Sequence, residues 1–264
     1  MADRKYRAPF EEADKDSDFA DLVAYLDNLQ RIPVVAEVKD WIAASVAADQ
    51  PESIAEIGCG NGDMSARIAR ICPDREQSVG FDFSEKFVRM SRARHDERDL
   101  FFVVSDAARL PVDAGTFDAL FIERVLMHIV DPAAVIAEAA RVLADDGRLV
   151  TCETHWQTLS VGHPDAALTA SILDACIGCM VSPTIGRDLE QVAGQCGFAI
   201  SDTKSFHADI AARDTDILLN FARMRGFAVA AGVPERDADG WFDDLRRMDI
   251  RTQLAFKVVT AAKA

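Results

Sequence analysis

The sequence predicts an α/β protein with a doubly wound, mostly parallel sheet and extra helices before the first strand and near the end. Three observations carry this. Short apolar runs alternate with segments whose apolar residues recur every three or four positions. The run ending at Ile57 leads straight into Gly58, Gly60 and Gly62 on alternate positions. The 264 residues, 49% apolar and 28% charged, suffice for one large core.

In order along the chain, residues 1–16 are polar and are expected to be a flexible N-terminus; they lack the apolar stretch of a secretory signal. Over 17–50, Leu22, Leu26 and Leu29, then Val34, Val38, Trp41 and Ile42, fall at helical spacing with a break at Pro33. These two N-terminal helices are expected to form part of a lid. "SIAEIG" reads as the first strand, and Met64, Ile68 and Ile71 mark the inner face of the next helix. "SVGFDF" (78–83), "FFVVSD" (101–106) and "FDALFIE" (117–123) supply strands two to four. Asp131-Pro132 predicts a helix start, with Val135, Ile136, Ala139, Val142 and Leu143 as its stripe, and "DDGRLVTCE" a turn and strand five.

Beyond strand five the alternation loosens. Residues 156–183 are expected to be an irregular, then helical, insert, followed by a helix ending at Gly197 and a strand "AISDTKSF". A second helical insert is expected over 210–248, and "LAFKVVTA" closes the chain as a strand. Trp156, Met180, Phe221, Met224, Phe227 and Trp241 in these inserts fit either an apolar lid or ordinary core.

Composition narrows the partners. A net charge of −15, from 44 acidic and 29 basic residues, repels phosphate backbones and anionic membranes, so neither nucleic acid nor membrane is expected. No apolar run reaches the roughly 20 residues of a membrane span. Cysteines at 59, 72, 152, 176, 179 and 196 form no disulfide framework, which makes a reducing cytoplasm the expected compartment. Cys176-x-x-Cys179 has metal-ligand spacing, yet no second pair follows and it lies in a helical segment, so no metal is expected.

The glycine loop is the chemical signal. At the carboxyl edge of a parallel sheet, beside strand one, glycines let a ligand touch the main chain. A dinucleotide fingerprint needs glycine at position 63, where this chain has Asp63, an acid where a pyrophosphate would rest.

The pattern Glu56-x-Gly58-x-Gly60-x-Gly62, with Asp82 ending strand two and Asp106 ending strand three, resembles class I S-adenosylmethionine-dependent methyltransferases. "GTFDALFIERVLMHIVDPAAVIAEAARVLADDGRLV" is similar to the small-molecule branch that includes quinone-biosynthesis C-methyltransferases, the methyltransferase type 11 group, and bacterial natural-product enzymes. The resemblance implies a Rossmann-like, seven-stranded sheet with an antiparallel last strand, residues 51–264 forming the methyltransferase domain. It implies S-adenosylmethionine as cofactor and S-adenosylhomocysteine as product. Asp82 would then accept the ribose hydroxyls, Phe83 pack on adenine, and Asp106 with the Ala107 N–H meet the adenine edge. Gly58, Gly60 and Gly62 would let the main chain approach, Glu56 would hold the loop or receive the ammonium, and the backbone near Glu123 and Arg124 would face the methionine tail. Phe83 equally fits a core position, and Arg124 a pairing with an exposed acid.

His128, past strand four, and His155, past strand five, are the candidate general bases, each also readable as a packing residue. The carboxylate set of a magnesium-dependent catechol site is absent, and "ERVLMH" stands where amino-methylating nucleic-acid enzymes carry a Pro-Pro-aromatic turn. The expected function is methylation of O, N or C on a small, hydrophobic or aromatic acceptor, in natural-product or quinone-like chemistry. The alternatives are a cyclase or isomerase of this fold and a noncatalytic binding module. A small-molecule acceptor is the expected partner, with a homo-oligomer left open.

Overall fold

The computed structural model describes residues 13–14 and 19–264. The expected flexible terminus, residues 1–16, lies outside the described residues apart from Ala13 and Asp14. Seven strands form one sheet in the order β3-β2-β1-β4-β5-β7-β6. They are β1 (Ser53–Ile57), β2 (Gln77–Asp82), β3 (Leu100–Val104), β4 (Phe117–Glu123), β5 (Leu143–Val161), β6 (Phe198–Ala211) and β7 (Arg251–Lys263). All pairs are parallel except those of β7, which runs antiparallel to both β5 and β6. The strand order reverses between β1 and β4, which opens a crevice at their carboxyl ends.

The strands sit where the apolar runs are. β1 is buried from Ile54 to Ile57, and Asp118 holds its start by accepting the Ser53 N–H at 2.9 Å and the Ser53 hydroxyl at 2.7 Å. Asp131, before Pro132, caps α5 (Pro132–Val142) through the Ala134 N–H as expected, and Ser84 caps α4 (Glu85–Arg94).

Two apolar layers cover the sheet. On one face α2 (Pro33–Ala47), α3 (Asp63–Ile71), α6 (Ala166–Gly178), α8 (Ala212–Leu219), α9 (Phe221–Ala230) and α10 (Glu235–Arg247) share one core with Phe121, Val150 and Cys152. On the other, α5 and α7 (Ile185–Gln195) pack against Ile57, Leu120, Leu149 and Val259. Successive β5 residues alternate between these layers.

The structure refines two expectations and decides between two readings of a third. Of the N-terminal helices, α1 (Phe19–Leu29) reaches the carboxyl edge, but α2 lies flat on the sheet through Val35, Val38, Ile42 and Val46, because its apolar stripe has a sheet to bury against. The segment from residue 156 does begin irregularly, at 156–159, but stays in the sheet: β5 continues to Val161 before the helix. Phe221 and Trp241 are core, packed on Phe242 at ring distances of 5.3 and 4.9 Å, and the Trp241 N–H donates to Thr169 Oγ1 at 2.9 Å.

Candidate active site

The glycine loop grows directly out of the sheet. Gly58 and Cys59 both donate their N–H to the Phe81 carbonyl, at 2.7 and 3.0 Å, after which the chain turns with φ of +76° at Gly58. A Cβ at Gly58 would lie 2.3 Å from Val125 Cγ2, so neither the backbone conformation nor the space admits a side chain. The Gly60 N–H then donates to Asp82 Oδ2 at 2.8 Å, and the Ser84 N–H to Oδ1 at 2.9 Å. Loop and acid lock each other in place, and each carboxylate oxygen keeps a lone-pair position for a ligand hydroxyl. Burial holds the Asp82 carboxyl above its ordinary pKa despite those N–H bonds.

Two loop residues do not reach the cavity. Gly62 is the N-cap of α3 at φ +78°, and its missing side chain makes room for Phe102 and His95, whose atoms would lie 2.8 and 2.9 Å from a Cβ. Its role is packing, not ligand approach. Glu56 is buried below the loop, where it accepts from the Ser65 hydroxyl and burial raises its pKa well above the ordinary value. It holds the loop to α3. Asp63 accepts from the Asn61 side-chain amide at 2.8 Å and lies 3.4 Å from His95.

A cavity of about 630 Å³ opens at the strand-order reversal. Gly58, Gly60, Asp82, Phe83, Asp106 and Ala107 line one end. Phe83 is 67% exposed, so it is a surface aromatic at the cavity mouth and not core. Asp106 also closes its own turn by accepting the Ala108 N–H at 2.9 Å. α1 contributes Tyr25 and Leu26, and is latched to the loop because Asp27 accepts from the Asn61 amide and from Arg94, both at 2.9 Å.

The floor is a buried charge cluster. Lys39 Nζ on α2 donates to Glu123 Oε2 at 2.8 Å, and Arg124 Nε lies 3.4 Å from Glu123 Oε1. Burial pushes the Glu123 carboxyl up, but the Lys39 and Arg124 charges outweigh it and leave it below its ordinary value. Among the described residues, Glu123 Oε1 and Arg124 Nε have no hydrogen-bond partner. Arg124 is also held at φ +55°, an uncommon conformation for a residue with a side chain. The two atoms form a loose ion pair at 3.4 Å with no aligned hydrogen bond, so both have capacity left for a zwitterionic amino-acid tail, and the residues fit S-adenosylmethionine here. Lys39 was missed in the sequence, although a lysine within the Val35, Val38, Ile42 stripe was a readable signal.

The far lobe is apolar and is shaped by an irregularity in β5. His155 pairs with Ala255 and Ser160 with Gln253, so residues 156–159 arch out of the ladder. Thr158 Oγ1 holds the arch by donating to the His155 carbonyl at 2.7 Å and accepting the Ala255 N–H at 2.8 Å. The arch turns Trp156 and Leu159 into the cavity opposite Met180 of the α6–α7 connection and Met224 and Phe227 of α9. Cys176 and Cys179 line it too, burial pushing the Cys176 thiol up to about 12. Among the described residues no His, Cys, Asp and Glu group is arranged to hold a metal.

The two histidines separate. His128, on a 3-10 turn (Leu126–His128), lines the cavity, and burial, with Arg124 and Arg223 nearby, pushes its pKa down to about 4. His155 does not reach the cavity. It sits one position before Trp156 and so on the opposite face of β5, half-buried in the surroundings of Lys257 and Arg187 of α7. From that position it cannot serve as the general base expected from the sequence.

Glu153 was not singled out in the sequence. Its Oε1 accepts the Leu126 N–H at 2.6 Å, the Val125 and Met127 N–H groups converge on the same carboxyl, and burial raises its pKa to about 8. It thus holds the turn that carries His128. Between about pH 4.5 and 8 the folded state keeps a proton that the unfolded chain has lost, so stability falls as pH rises through this window. Glu153→Gln is expected to remove that dependence, gaining on the parent by roughly 1–3 kcal/mol between pH 5 and 8.5 in urea denaturation. Parallel pH profiles for the two proteins would count against it.

Comparison with known proteins agrees with this geometry. The methyltransferase domain family matches residues 55–151. An uncharacterized 37.1 kDa protein in transposon TN4556 of Streptomyces fradiae is 31% identical over 250 residues, 91% of this chain and 71% of that protein. The ubiquinone/menaquinone biosynthesis C-methyltransferase UbiE of Desulfotalea psychrophila is 27% identical over 141 residues, 52% of this chain and 57% of its own length. Among solved structures, the [4+2]-cyclase SpnF shares the fold with a TM-score of 0.56 at 21% identity, over 87% of this chain and 80% of its own. Residues 55–151 therefore form a domain of the methyltransferase family, and the chain is an S-adenosylmethionine-dependent methyltransferase.

Proposed function

We propose that this chain methylates a small, apolar or aromatic organic acceptor of the natural-product or quinone-like kind. One observation carries the reading: the end lined by Gly58 and Asp82 and the apolar lobe lined by Trp156, Leu159 and Met224 are parts of one continuous cavity. When bound, the cofactor supplies an electrophilic methyl group on a sulfonium. The residues of the chain have the tasks of orienting and drying the site. Asp82 and the glycine loop hold the adenosyl part, Glu123 and Arg124 hold the tail, and the β5 arch with α9 places the acceptor. Orientation of this kind contributes about 7–11 kcal/mol to a bimolecular displacement.

His128 is a neutral imidazole at pH 7, since its pKa is about 4. It is a weak base, suited to hydrogen-bonding the acceptor next to the reacting atom and to receiving a proton only as the new bond forms.

Incubation of the protein with methyl-labelled S-adenosylmethionine and a panel of naphthols, hydroxybenzoates and quinols is expected to put label into a small-molecule product. A product of unchanged mass would support the cyclase or isomerase alternative. Cofactor binding with neither result across the panel would favour a binding module.

A further inference from the structure

The chain leaves β4 through a strained turn that is built around a buried acid. Arg124, at φ +55°, donates its own N–H to the Cys152 carbonyl at 2.7 Å, and Val125 follows at φ −106° and ψ −43°. Successive residues of opposite hand turn the following backbone N–H groups toward a common point, a concavity that suits an acceptor or anion. Glu153 of β5 occupies that point. Its Oε1 accepts the Leu126 N–H at 2.6 Å, and the Val125 and Met127 N–H groups face the same carboxyl. The side chain is wholly buried and does not line the cavity. Arg124 can keep its uncommon conformation because the carboxyl fixes the three residues that follow it. Residues 124–127 in turn touch both halves of the cavity. Val125 lies so close to Gly58 that a Cβ there would come within 2.3 Å of its Cγ2, and Arg124 stands where the amino-acid tail is placed. Met127 Sδ accepts the Trp156 ring N–H at 3.3 Å, and the Met127 carbonyl accepts the Ser182 N–H at 3.0 Å, in the connection that carries Met180. Glycine loop, β5 arch and the Met180 wall therefore share one support.

We propose that Glu153 is a positioning residue for methyl transfer, fixing the cofactor half of the cavity relative to the acceptor half through the turn at residues 124–127. This rests on the proposed function, which assigns the two halves. Without an accepting oxygen for its N–H groups, the turn would have to be ordered when the cofactor binds, and that ordering subtracts from affinity. The Trp156 side chain, tied to the turn through Met127, would lose its fixed place in the same step. A side chain at position 153 that packs but cannot accept loses the effect, and one that accepts without a charge keeps it.

The test compares the full chain with Glu153→Gln, which keeps an accepting oxygen, and Glu153→Leu, which keeps only the bulk. In calorimetric titration with S-adenosylhomocysteine, Glu153→Gln is expected within about two-fold of the parent and Glu153→Leu weaker by about ten-fold or more, although position 153 does not reach the cavity. The Trp156 emission, taken as the difference from Trp156→Phe in each background, is expected to shift in Glu153→Leu and not in Glu153→Gln. Thr169→Val, which removes the acceptor of the buried Trp241 N–H in the other apolar layer, controls for general loss of stability and is expected to bind S-adenosylhomocysteine like the parent. A melting curve checks that each variant is folded. Where Glu153→Leu is not, Glu153→Asp, whose carboxyl stops one methylene short of the turn, is read in its place with the same weakening and the same shift expected. Binding within about two-fold of the parent in the Leu or Asp variant, an unmoved Trp156 emission there, or an equal loss of affinity in Glu153→Gln or Thr169→Val would overturn the proposal. In each of those results the parent still binds and the proposed function stands, whereas a parent that binds no S-adenosylhomocysteine overturns both.

Discussion

Replacing Lys39 by methionine is expected to destabilise the protein by about 3–5 kcal/mol, because it leaves the Glu123 carboxylate buried with only a poorly aligned guanidinium beside it. For a chain of this length the melting temperature should fall by roughly 10 °C. The side chains of the pair are 11% and 6% exposed, so water can replace little of what Lys39 supplies. The sign with pH follows from the same pair. The Glu123 carboxyl lies below its ordinary pKa, so its stabilising contribution is present above the unfolded value and is lost as pH falls through the folded one. In Lys39→Met the carboxyl moves upward, and the deficit is smallest in acid. Adding Glu123→Gln to Lys39→Met should restore only part of the stability, since it removes the buried carboxylate but leaves the Arg124 guanidinium without that acid. Urea denaturation of the three variants measures this, and a single Lys39→Met variant within about 1 kcal/mol of the parent would refute it.

Asp82→Ala is expected to weaken S-adenosylhomocysteine binding on the order of 10²-fold or more, while changing stability little. Two hydrogen bonds from hydroxyls to a charged carboxylate account for that factor at about 1.5–3 kcal/mol each. The stability cost is small for a separate reason. Asp82 sits above its ordinary pKa because burial opposes its charge, so the fold gains little from it beyond the Gly60 and Ser84 N–H bonds. Lys39 and Asp82 therefore make opposite predictions. One variant is destabilised, and the other keeps its stability but binds the cofactor weakly. Asp82→Asn does not rescue binding, because its amide nitrogen must face one of those two N–H groups. Calorimetric titration with a melting curve on the same sample separates the two outcomes.

The central sheet was legible because its evidence is local. β1, β2 and β4 are nearly unbroken buried runs, and the loop after Ile57 must turn within a few residues, so glycine spacing and strand-end acids mark it. Asp82, Phe83, Asp106, Ala107, Glu123, Arg124 and His128 all line the one cavity. The misses share a cause, which is long-range packing. "HWQTLS" has neither glycine nor proline, so the arch that turns Trp156 inward and leaves His155 on the opposite face is fixed only by pairing with β7, about a hundred residues later. Lys39 meets Glu123 across 84 positions, and Glu153 meets Leu126 across 27. Gly62 shares the pattern of Gly58 but faces Phe102 of β3, a contact that no spacing rule reveals.

A crystal structure of the chain with S-adenosylhomocysteine would place the cofactor against these residues. The ribose hydroxyls are expected on Asp82, the amino-acid tail at Glu123 and Arg124, and the sulfur facing the lobe of His128 and Trp156. A ligand bound elsewhere, or a sulfur turned away from that lobe, would contradict it.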